Sequence, residues 1–213
     1  MNIKQNGYKF IAIYEYIKSI YKSKYLFKKL FIFFGIGILV LTASFVSRQL
    51  ALESHTYNTQ LIPGFITINI IGNTGISFSF LKDAHISLIL FIQFIPVIIA
   101  FCVILLSRNI VIDISFSFMF FGGLSNIIDR CIVDDYKYID ILENTNAVVD
   151  YLQFSFIKNS AIFNVPDIFI VLSSIIVITY LVVSSLILFT TGKHKSNKDN
   201  DHLNDETKKE QIE

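Results

Sequence analysis

The chain has 213 residues, of which 53% are hydrophobic and only 16% are charged, and its mean hydropathy is +0.58. These values are too apolar for an ordinary water-soluble domain and indicate that lipid is the main solvent. The formal net charge of +1 provides no global field that would attract nucleic acid, so no nucleic-acid partner is expected. Neither of the two cysteines belongs to a CxxC pair, and we expect neither to bind metal or form a disulfide.

Four stretches between charged residues are long enough to cross a bilayer, which takes about 20 apolar residues in a helix. The predicted spans lie between Lys29 and Arg48, between Asp83 and Arg108, from about 110 to 128, and from 168 to 192. The sequence therefore predicts an all-α membrane protein with four transmembrane helices.

Lysine and arginine fall on one side of these spans. Residues 1–29 carry seven lysines, the turn after the second span carries Arg108, and residues 193–213 carry five lysines. Because cytoplasmic segments are enriched in Lys and Arg, both termini should be cytoplasmic, and the connections at about 48–84 and 129–167 should face outward. We expect a basic cytoplasmic N-terminal extension over 1–29, a membrane domain over 30–192 and a disordered cytoplasmic tail over 193–213. The extension fits either a helix on the inner leaflet or a poorly ordered segment.

The first outward connection has a pattern typical of a strand. Residues 66–70 (ITINI) alternate β-branched and polar side chains. Gly72 and Gly75 flank Asn73 and permit a tight turn with exposed backbone donors. The sequence predicts a small extracytoplasmic β element here, able to support an extended peptide.

Three polar clusters lie at the outward ends of the predicted spans, where buried polar groups are expensive and indicate function. They are GGLSNIIDR at 122–130, AVVDYLQF at 147–154 and FNVPD at 163–167. Asn126 and Arg130 are four residues apart, so a helix would place them on one side. Arg130 would then neutralise or orient a carboxylate, and Asn126 would hold a backbone group.

Two carboxylates held close together in a site of low dielectric cannot both ionise easily, so one shared proton provides a general base and a general acid. Asp150 and Asp167, both flanked by apolar residues, are the best candidates for such a pair. A pair of this kind can activate water against an amide without a metal or a covalent intermediate, so no metal or other cofactor is expected.

Simpler interpretations exist for the same residues. Asn164 and Asp167 match ordinary helix capping, with Pro166 in the first turn. Asp150 fits a loop acid, and Asp129 with Arg130 fits a surface ion pair. These readings stay open from the residues alone.

Other chemistries have weaker support. Serine and lysine stand three apart at 79–82 and 155–158, as in Ser-Lys proteases, but such matches arise by chance in a chain rich in both residues. The four histidines lack the spacing of a zinc site. A small proton-coupled transporter is a further alternative, although its acids should lie near the bilayer midplane and repeats should be visible.

Four ordered motifs resemble the lipoprotein signal peptidase family, signal peptidase II, whose members are four-span bacterial aspartic proteases. The motifs are NTGISFSF at 73–80, GGLSNIIDR at 122–130, VVDY at 148–151 and FNVPD at 163–167. Each is weak alone, but their order and their positions at the outward ends of the spans are specific. The resemblance covers about residues 30–190.

The resemblance implies a catalytic pair and a surrounding site. Asp150 and Asp167 would be the catalytic residues, Asp129 would support them structurally, and five residues would shape or hold the substrate site: Asn73, Gly75, Asn126, Arg130 and Asn164. The implied substrates are prolipoproteins of the bacterial plasma membrane, cut just before a cysteine that already carries diacylglycerol. It also implies contact with membrane lipid, an active site near the outer surface and inhibition by globomycin.

The chain departs from the family pattern at several positions. Ser44 stands where the family usually has an aspartate four residues before a basic residue, here Arg48, which puts an ion pair within that motif in doubt. Ser125 replaces a usual glycine, and Pro166 replaces a small residue; Ile76 and Ser77 replace two alanines. The acidic stretch 131–149 suggests an inserted loop. The altered first-span motif also leaves open a catalytically inactive, lipoprotein-binding relative.

Overall fold

The structure, a computed structural model, describes residues 15–16, 18–19, 25–54, 58–76, 81, 84–132 and 146–210, and from residue 192 only the backbone. Its helices are α1 (Tyr25–Ser54), α2 (Ile86–Leu106), α3 (Ile110–Ile132) and α4 (Val165–Glu210). Its strands are β1 (Thr59–Ile62), β2 (Ile66–Asn73), β3 (Val148–Phe154) and β4 (Ile162–Phe163). The chain divides into two compact units, Met1–Ser174 and Ile175–Glu213, and the described part of the second unit is the remainder of α4.

Within the part of the chain that the structure describes, four helical segments are long and apolar enough to span a membrane, as the sequence predicts. They are Tyr25–Glu53, Ile86–Leu106, Ile110–Ile132 and Val165–Thr191. They leave many large apolar side chains exposed, which fits a lipid solvent rather than water. The predicted fold class, four membrane helices with a small β element, is confirmed.

The helix bounds differ from the expected ones at the charged ends. Helix α1 begins at Tyr25 and includes both Lys29 and Arg48, which were expected to limit the span. These cations are tolerated inside the helix because they have buried partners; Lys29 Nζ donates to the backbone carbonyl of Ser107 at 2.6 Å. Helix α4 continues to Glu210, so helical backbone enters the segment 193–213 for which the composition predicts disorder.

Helix α3 packs against both α1 and α2 and approaches the start of α4 closely. A Cβ atom at Gly122 would lie 2.9 Å from the backbone oxygen of Pro166 and 2.9 Å from Cγ1 of Ile170. Small residues at such contacts allow helix backbones to approach one another. A Cβ atom at the adjacent Gly123 would lie 2.7 Å from Cγ2 of Val97 in α2. Gly122 therefore sets how near the first turn of α4 comes to α3, and Gly123 sets how near α2 comes.

The four strands form one antiparallel sheet in the order β1-β2-β3-β4. Strands β2 and β3 make the central pair, in which Asn73 lies opposite Val148 at one end and Ile66 lies opposite Phe154 at the other. Apolar residues of this pair pack on the last turns of α1, in a buried cluster of Ala51, Leu52, Ile70, Val149, Tyr151 and Leu152. The sheet is thus attached to the end of the first span.

The predicted β element is confirmed, but the sheet is larger than the sequence indicates. Residues 66–70 lie in β2 as expected. The first five residues of β3 are all buried, so this strand lacks the alternation of apolar and polar residues that identifies a half-exposed strand. The proposed inserted loop falls mainly at 133–145, outside the described residues, as do Ser77 and the Ser79–Lys82 pair.

Candidate active site

Asp167 lies in the first turn of α4 and makes a reciprocal cap with Asn164. The backbone N–H of Asp167 donates to Oδ1 of Asn164 at 3.0 Å, and the backbone N–H of Asn164 donates to Oδ2 of Asp167 at 3.2 Å. This is the arrangement of a capping box, built here from Asn and Asp. The expected capping by Asn164, with Pro166 in the first turn, is therefore present, and it fixes the position of the Asp167 carboxylate.

Asp150 lies in β3, where it is 3% exposed. Its two oxygens accept from two side-chain amides: Nδ2 of Asn164 donates to Oδ1 at 2.9 Å, and Nδ2 of Asn73 donates to Oδ2 at 2.9 Å. Burial raises the pKa of Asp150 to about 7, and the negative charge of Asp167 adds to the rise. The two amide donors and the charge of Arg130 oppose it. The interpretation of Asp150 as an ordinary loop acid is wrong.

Asn164 joins the two carboxylates. Its backbone N–H donates to the carboxylate of Asp167, while its side-chain amide donates to Asp150 and also to Oδ1 of Asn126 at 3.1 Å. Asn126 in turn donates from Nδ2 to Oδ1 of Asp167 at 3.0 Å. These contacts form a closed network in which each aspartate accepts from two groups. Asn126 was expected to hold a backbone group; its partners are side chains instead.

Arg130 in α3 is 1% exposed and binds groups from three segments. Nε donates to Oε1 of Gln93 at 3.0 Å, and Nη1 donates to the backbone oxygens of Thr74 and Asn146, both at 3.1 Å. Nη2 donates to the backbone oxygen of Gly75. The guanidinium therefore joins helix α3 to the turn at Thr74 and Gly75 and to the chain that enters β3. Arg130 was expected to neutralise or orient a carboxylate; its described hydrogen bonds go to other groups, and its positive charge acts on Asp150 without direct contact.

Asn73 and Gly75 form the turn that leaves β2. The backbone N–H of Gly75 donates to Oδ1 of Asn73 at 3.0 Å, so this donor is used within the turn rather than left exposed as expected. The contact orients Asn73 so that its Nδ2 atom reaches Asp150. The turn thus serves to place one of the two amide donors of Asp150.

Asp129 pairs with Arg48 of α1 rather than with its neighbour Arg130. Nη1 of Arg48 donates to Oδ1 of Asp129 at 2.5 Å, and both side chains are buried. The backbone N–H of Val149 also hydrogen-bonds to Asp129. The interpretation of Asp129 and Arg130 as a surface ion pair is wrong because both lie in the packed interface of α3. Arg48 keeps an acidic partner even though Ser44 is not one.

Sequence reasoning missed two polar contributors. Gln93 is the one amide side chain in the apolar sequence of α2, and that isolation was the available signal. Tyr151 follows Asp150, and its hydroxyl lies 2.5 Å from Oγ of Ser47 and accepts from the backbone N–H of Val165 at 3.3 Å. Burial raises the pKa of Tyr151, so the hydroxyl stays protonated and links α1 to the start of α4. No local sequence pattern predicts this contact.

The polar network opens onto a cavity of about 600 Å³. All of the predicted site residues except Asp129 and Asn164 line it. The rest of its wall is mainly apolar and comes from α2, α4, the segment that carries β4, the start of β3 and the turn after β2: Ile76, Ile92, Ile95, Pro96, Val148, Ala161, Ile162, Phe163, Ile170 and Val171. Asp129 and Asn164 lie behind the wall. An apolar cavity with a few convergent polar groups is the usual form of a binding or catalytic site.

Membrane-spanning helices and a small sheet that bring two carboxylates to one mainly apolar cavity, Asp150 buried and Asp167 half-buried, define a multi-pass membrane protein with a candidate active site. Comparison with known proteins makes this specific. The sequence model of the family described as "Signal peptidase (SPase) II" matches residues 27–183. The chain therefore belongs to the signal peptidase II family.

Relatives and solved structures agree. The chain is 48% identical over 170 residues to a lipoprotein signal peptidase of Malacoplasma penetrans, covering 80% of this chain and 71% of that protein. It is 35% identical over 150 residues to one of Mycoplasmoides gallisepticum, covering 68% and 46%. A solved bacterial membrane enzyme has a similar fold, with a TM-score of 0.59 at 21% identity over 72% of this chain and 88% of that one. The predicted family, and with it a peptidase of lipoprotein signal peptides, is confirmed.

Proposed function

We propose that the chain is an aspartic endopeptidase that removes signal peptides from diacylglyceryl-modified prolipoproteins, with Asp150 and Asp167 as the catalytic pair. The observation that carries the proposal is the position of Asn164, which donates to both carboxylates at the wall of one cavity. The apolar wall suits a lipid-modified peptide, and membrane lipid would surround the bound substrate.

The two carboxylates have different environments, which suggests different roles. Asp167 accepts from the backbone N–H of Asn164 at a helix N-terminus, where the helix dipole favours the ionised form. Asp150 is buried in a strand, and burial raises its pKa to about 7, so that a substantial fraction of it keeps a proton at neutral pH. We therefore assign Asp167 as the base and Asp150 as the acid.

The proposed reaction follows from these protonation states. The carboxylate of Asp167 removes a proton from a water molecule, whose oxygen attacks the carbonyl carbon before the lipidated cysteine. The protonated carboxyl of Asp150 donates to the carbonyl oxygen and stabilises the tetrahedral intermediate. When the C–N bond breaks, the proton taken up by Asp167 passes to the leaving amine, and the proton on the former carbonyl oxygen returns to Asp150 as the C=O bond re-forms. Water is consumed, a carboxylic acid and an amine are formed, and both aspartates regain their starting protonation states.

Asn73, Gly75, Asn126, Arg130 and Asn164 are proposed to shape and hold the substrate site around this pair. Their contacts support that role, because they orient the carboxylates and the chain on either side of the cavity. Asp129 is proposed as the structural support, through Arg48 and the strand beside Asp150. Retention of the Arg48 ion pair removes the main reason for an inactive relative, and the family match does not favour a transporter.

The proposed orientation has both termini in the cytoplasm and the site near the outer surface of the bacterial plasma membrane. It rests on the lysines of residues 1–29 and 193–213 and on Arg108, which should lie on one side. To test the orientation, the chain's own cysteines, Cys102 and Cys131, are replaced by serine. Single cysteines are then introduced on either side of the membrane, and their labelling by a membrane-impermeant reagent is measured.

Purified protein in proteoliposomes, supplied with a diacylglyceryl precursor, tests the function. We expect two products by mass spectrometry, an intact signal peptide and a mature chain that begins with the lipidated cysteine. Globomycin should block the reaction, and a precursor without the diacylglyceryl group should be cut poorly. Absence of cleavage, or a cut elsewhere in the precursor, would contradict the proposal.

A further inference from the structure

Aromatic side chains form a cluster that extends from Phe163, at the cavity wall, to the end of the sheet away from the carboxylates. The rings of Phe65 and Phe156 stack with centroids 5.3 Å apart, and Phe154 lies 5.8 Å from Phe65 and 5.0 Å from Phe163. Phe65 is 47% exposed and Phe156 is 59% exposed. We call these four residues the aromatic tip. Its exposed flanks add more apolar surface from the same two turns: Leu61, Ile62 and Ile157.

The sequence around the aromatic tip is almost without charge. Residues 54–81 contain no Asp, Glu, Lys or Arg, and residues 151–164 contain only Lys158. Water-facing surfaces usually have about 25–35% charged residues. A contiguous exposed apolar surface of this kind indicates a partner, whether protein or membrane.

The position of the sheet indicates which partner. Ala51 and Leu52, in the last turns of α1, pack beneath the sheet, so the sheet sits at the end of a membrane span. Phe163 of the aromatic tip directly precedes Asn164, whose cap begins the fourth span. The aromatic tip therefore belongs to a sheet that adjoins the ends of the first and fourth spans, at the same end of the membrane domain as the cavity.

We propose that the aromatic tip binds the bilayer itself, at the boundary between lipid headgroups and acyl chains. Aromatic rings are enriched at this depth, and interfacial binding grows with buried apolar area. The ammonium of Lys158, exposed in the β3–β4 turn, would lie near lipid phosphates. Asn73 and Phe154 are at opposite ends of the β2–β3 pair. Lipid contact at the aromatic tip would therefore fix how deep the other end of this pair, near Asp150, lies relative to the bilayer. The lipid contact itself does not depend on the proposed reaction.

The test uses tryptophan fluorescence, because the chain contains no tryptophan and a single replacement is the only reporter. Phe156→Trp and Phe65→Trp place the reporter in the aromatic tip, and Thr59→Trp places it at the exposed start of β1 as a matched control. Each variant is reconstituted in phosphatidylcholine and phosphatidylglycerol vesicles in which the phosphatidylcholine carries bromine on the acyl chains. Cleavage of a precursor, or the thermal unfolding midpoint in detergent, checks that each variant is folded.

We expect brominated lipid to quench both tip reporters severalfold more than the control, with bromine near the headgroup more effective than bromine at the chain end. Quenching of the tip reporters by aqueous iodide, without quenching by lipid bromine, would overturn the proposal. Two other outcomes would also overturn it. Signals that change with the protein-to-lipid ratio would indicate a second copy of the chain, and quenching that changes only when precursor is added would indicate a substrate contact.

Discussion

Asn164 and Asp167 cap the first turn of α4 reciprocally, each donating its backbone N–H to the side chain of the other. The cap leaves the side-chain amide of Asn164 free to donate to Asp150. Helix capping and the placement of two carboxylates are thus functions of one asparagine. The ordinary explanation of Asp167 as a first-turn acid and the catalytic explanation are compatible, because the cap is what holds Asp167 in place.

Replacing Asn164 should separate these two functions. Asn164→Ser keeps an N-cap acceptor but loses the amide, so kcat should fall about 10- to 100-fold, because a buried acceptor left without its donor costs roughly 1–3 kcal/mol and Asp150 is no longer held in place. Asn164→Ala also loses the cap and should be less stable than the serine variant by about 1 kcal/mol. Cleavage rates and thermal unfolding in detergent measure both effects. Full activity of the serine variant would show that the amide is not needed.

The activity should depend on pH through Asp150. Its folded pKa is raised to about 7, so the protonated form that the mechanism requires is lost as the pH rises through that value. We expect kcat/KM to fall above about pH 7 in wild-type protein. Asn73→Ala removes a hydrogen bond that lowers the pKa of Asp150, so the alkaline limb should move to higher pH. A limb that stays in place or moves to lower pH in this variant contradicts the assignment of Asp150 as the acid.

The Arg48–Asp129 ion pair should matter most when only one partner is removed. Arg48→Met leaves a buried carboxylate without its partner, which typically destabilises a protein by about 3–5 kcal/mol. Combining Arg48→Met with Asp129→Asn removes both charges and keeps an acceptor for the backbone N–H of Val149, so much of the stability should return. Thermal unfolding of the two single variants and the double variant gives the coupling energy. Additive losses would show that the pair does not act as a unit.

The close approach of α3 and α4 can be tested with one methyl group. Gly122→Ala places a Cβ 2.9 Å from the backbone oxygen of Pro166, which cannot rotate away, so the start of α4 must shift. We expect a loss of about 1–3 kcal/mol and reduced cleavage, since Asp167 is in that turn. Gly35→Ala in α1 is the control because nothing lies within 4 Å of its new Cβ. If the two variants had equal stability and equal cleavage rates, the contact between α3 and α4 would not be needed to position Asp167.

The spans and the carboxylate-bearing segments were predictable from the sequence, since long apolar runs and isolated polar clusters are local signals. The ITINI alternation likewise identified part of β2. Strand β3 was not predicted, because both of its faces are buried around Asp150 and its sequence therefore lacks the alternation of apolar and polar residues. Here the local pattern could not separate a strand from any other short apolar stretch.

Partner choice was the other part that the sequence could not supply. Arg130 binds backbone oxygens from segments far away along the chain, and Arg48 binds Asp129 from another helix. Adjacent charges in a sequence suggest a pair, as Asp129 and Arg130 did, but α3 directs them to different neighbours. Such contacts depend on how the helices pack and have no local signature.

The central claim is that Asp150 and Asp167 act together on the scissile amide. The most direct measurement is the rate of cleavage of a diacylglyceryl precursor in proteoliposomes by Asp150→Asn and Asp167→Asn, with Glu53→Gln, an exposed acid at the end of α1, as the control. We expect both aspartate variants to lose activity by roughly 10²–10⁴-fold or more while remaining folded in the membrane, and the Glu53 variant to match wild type. Full cleavage by either Asp150→Asn or Asp167→Asn would contradict the account.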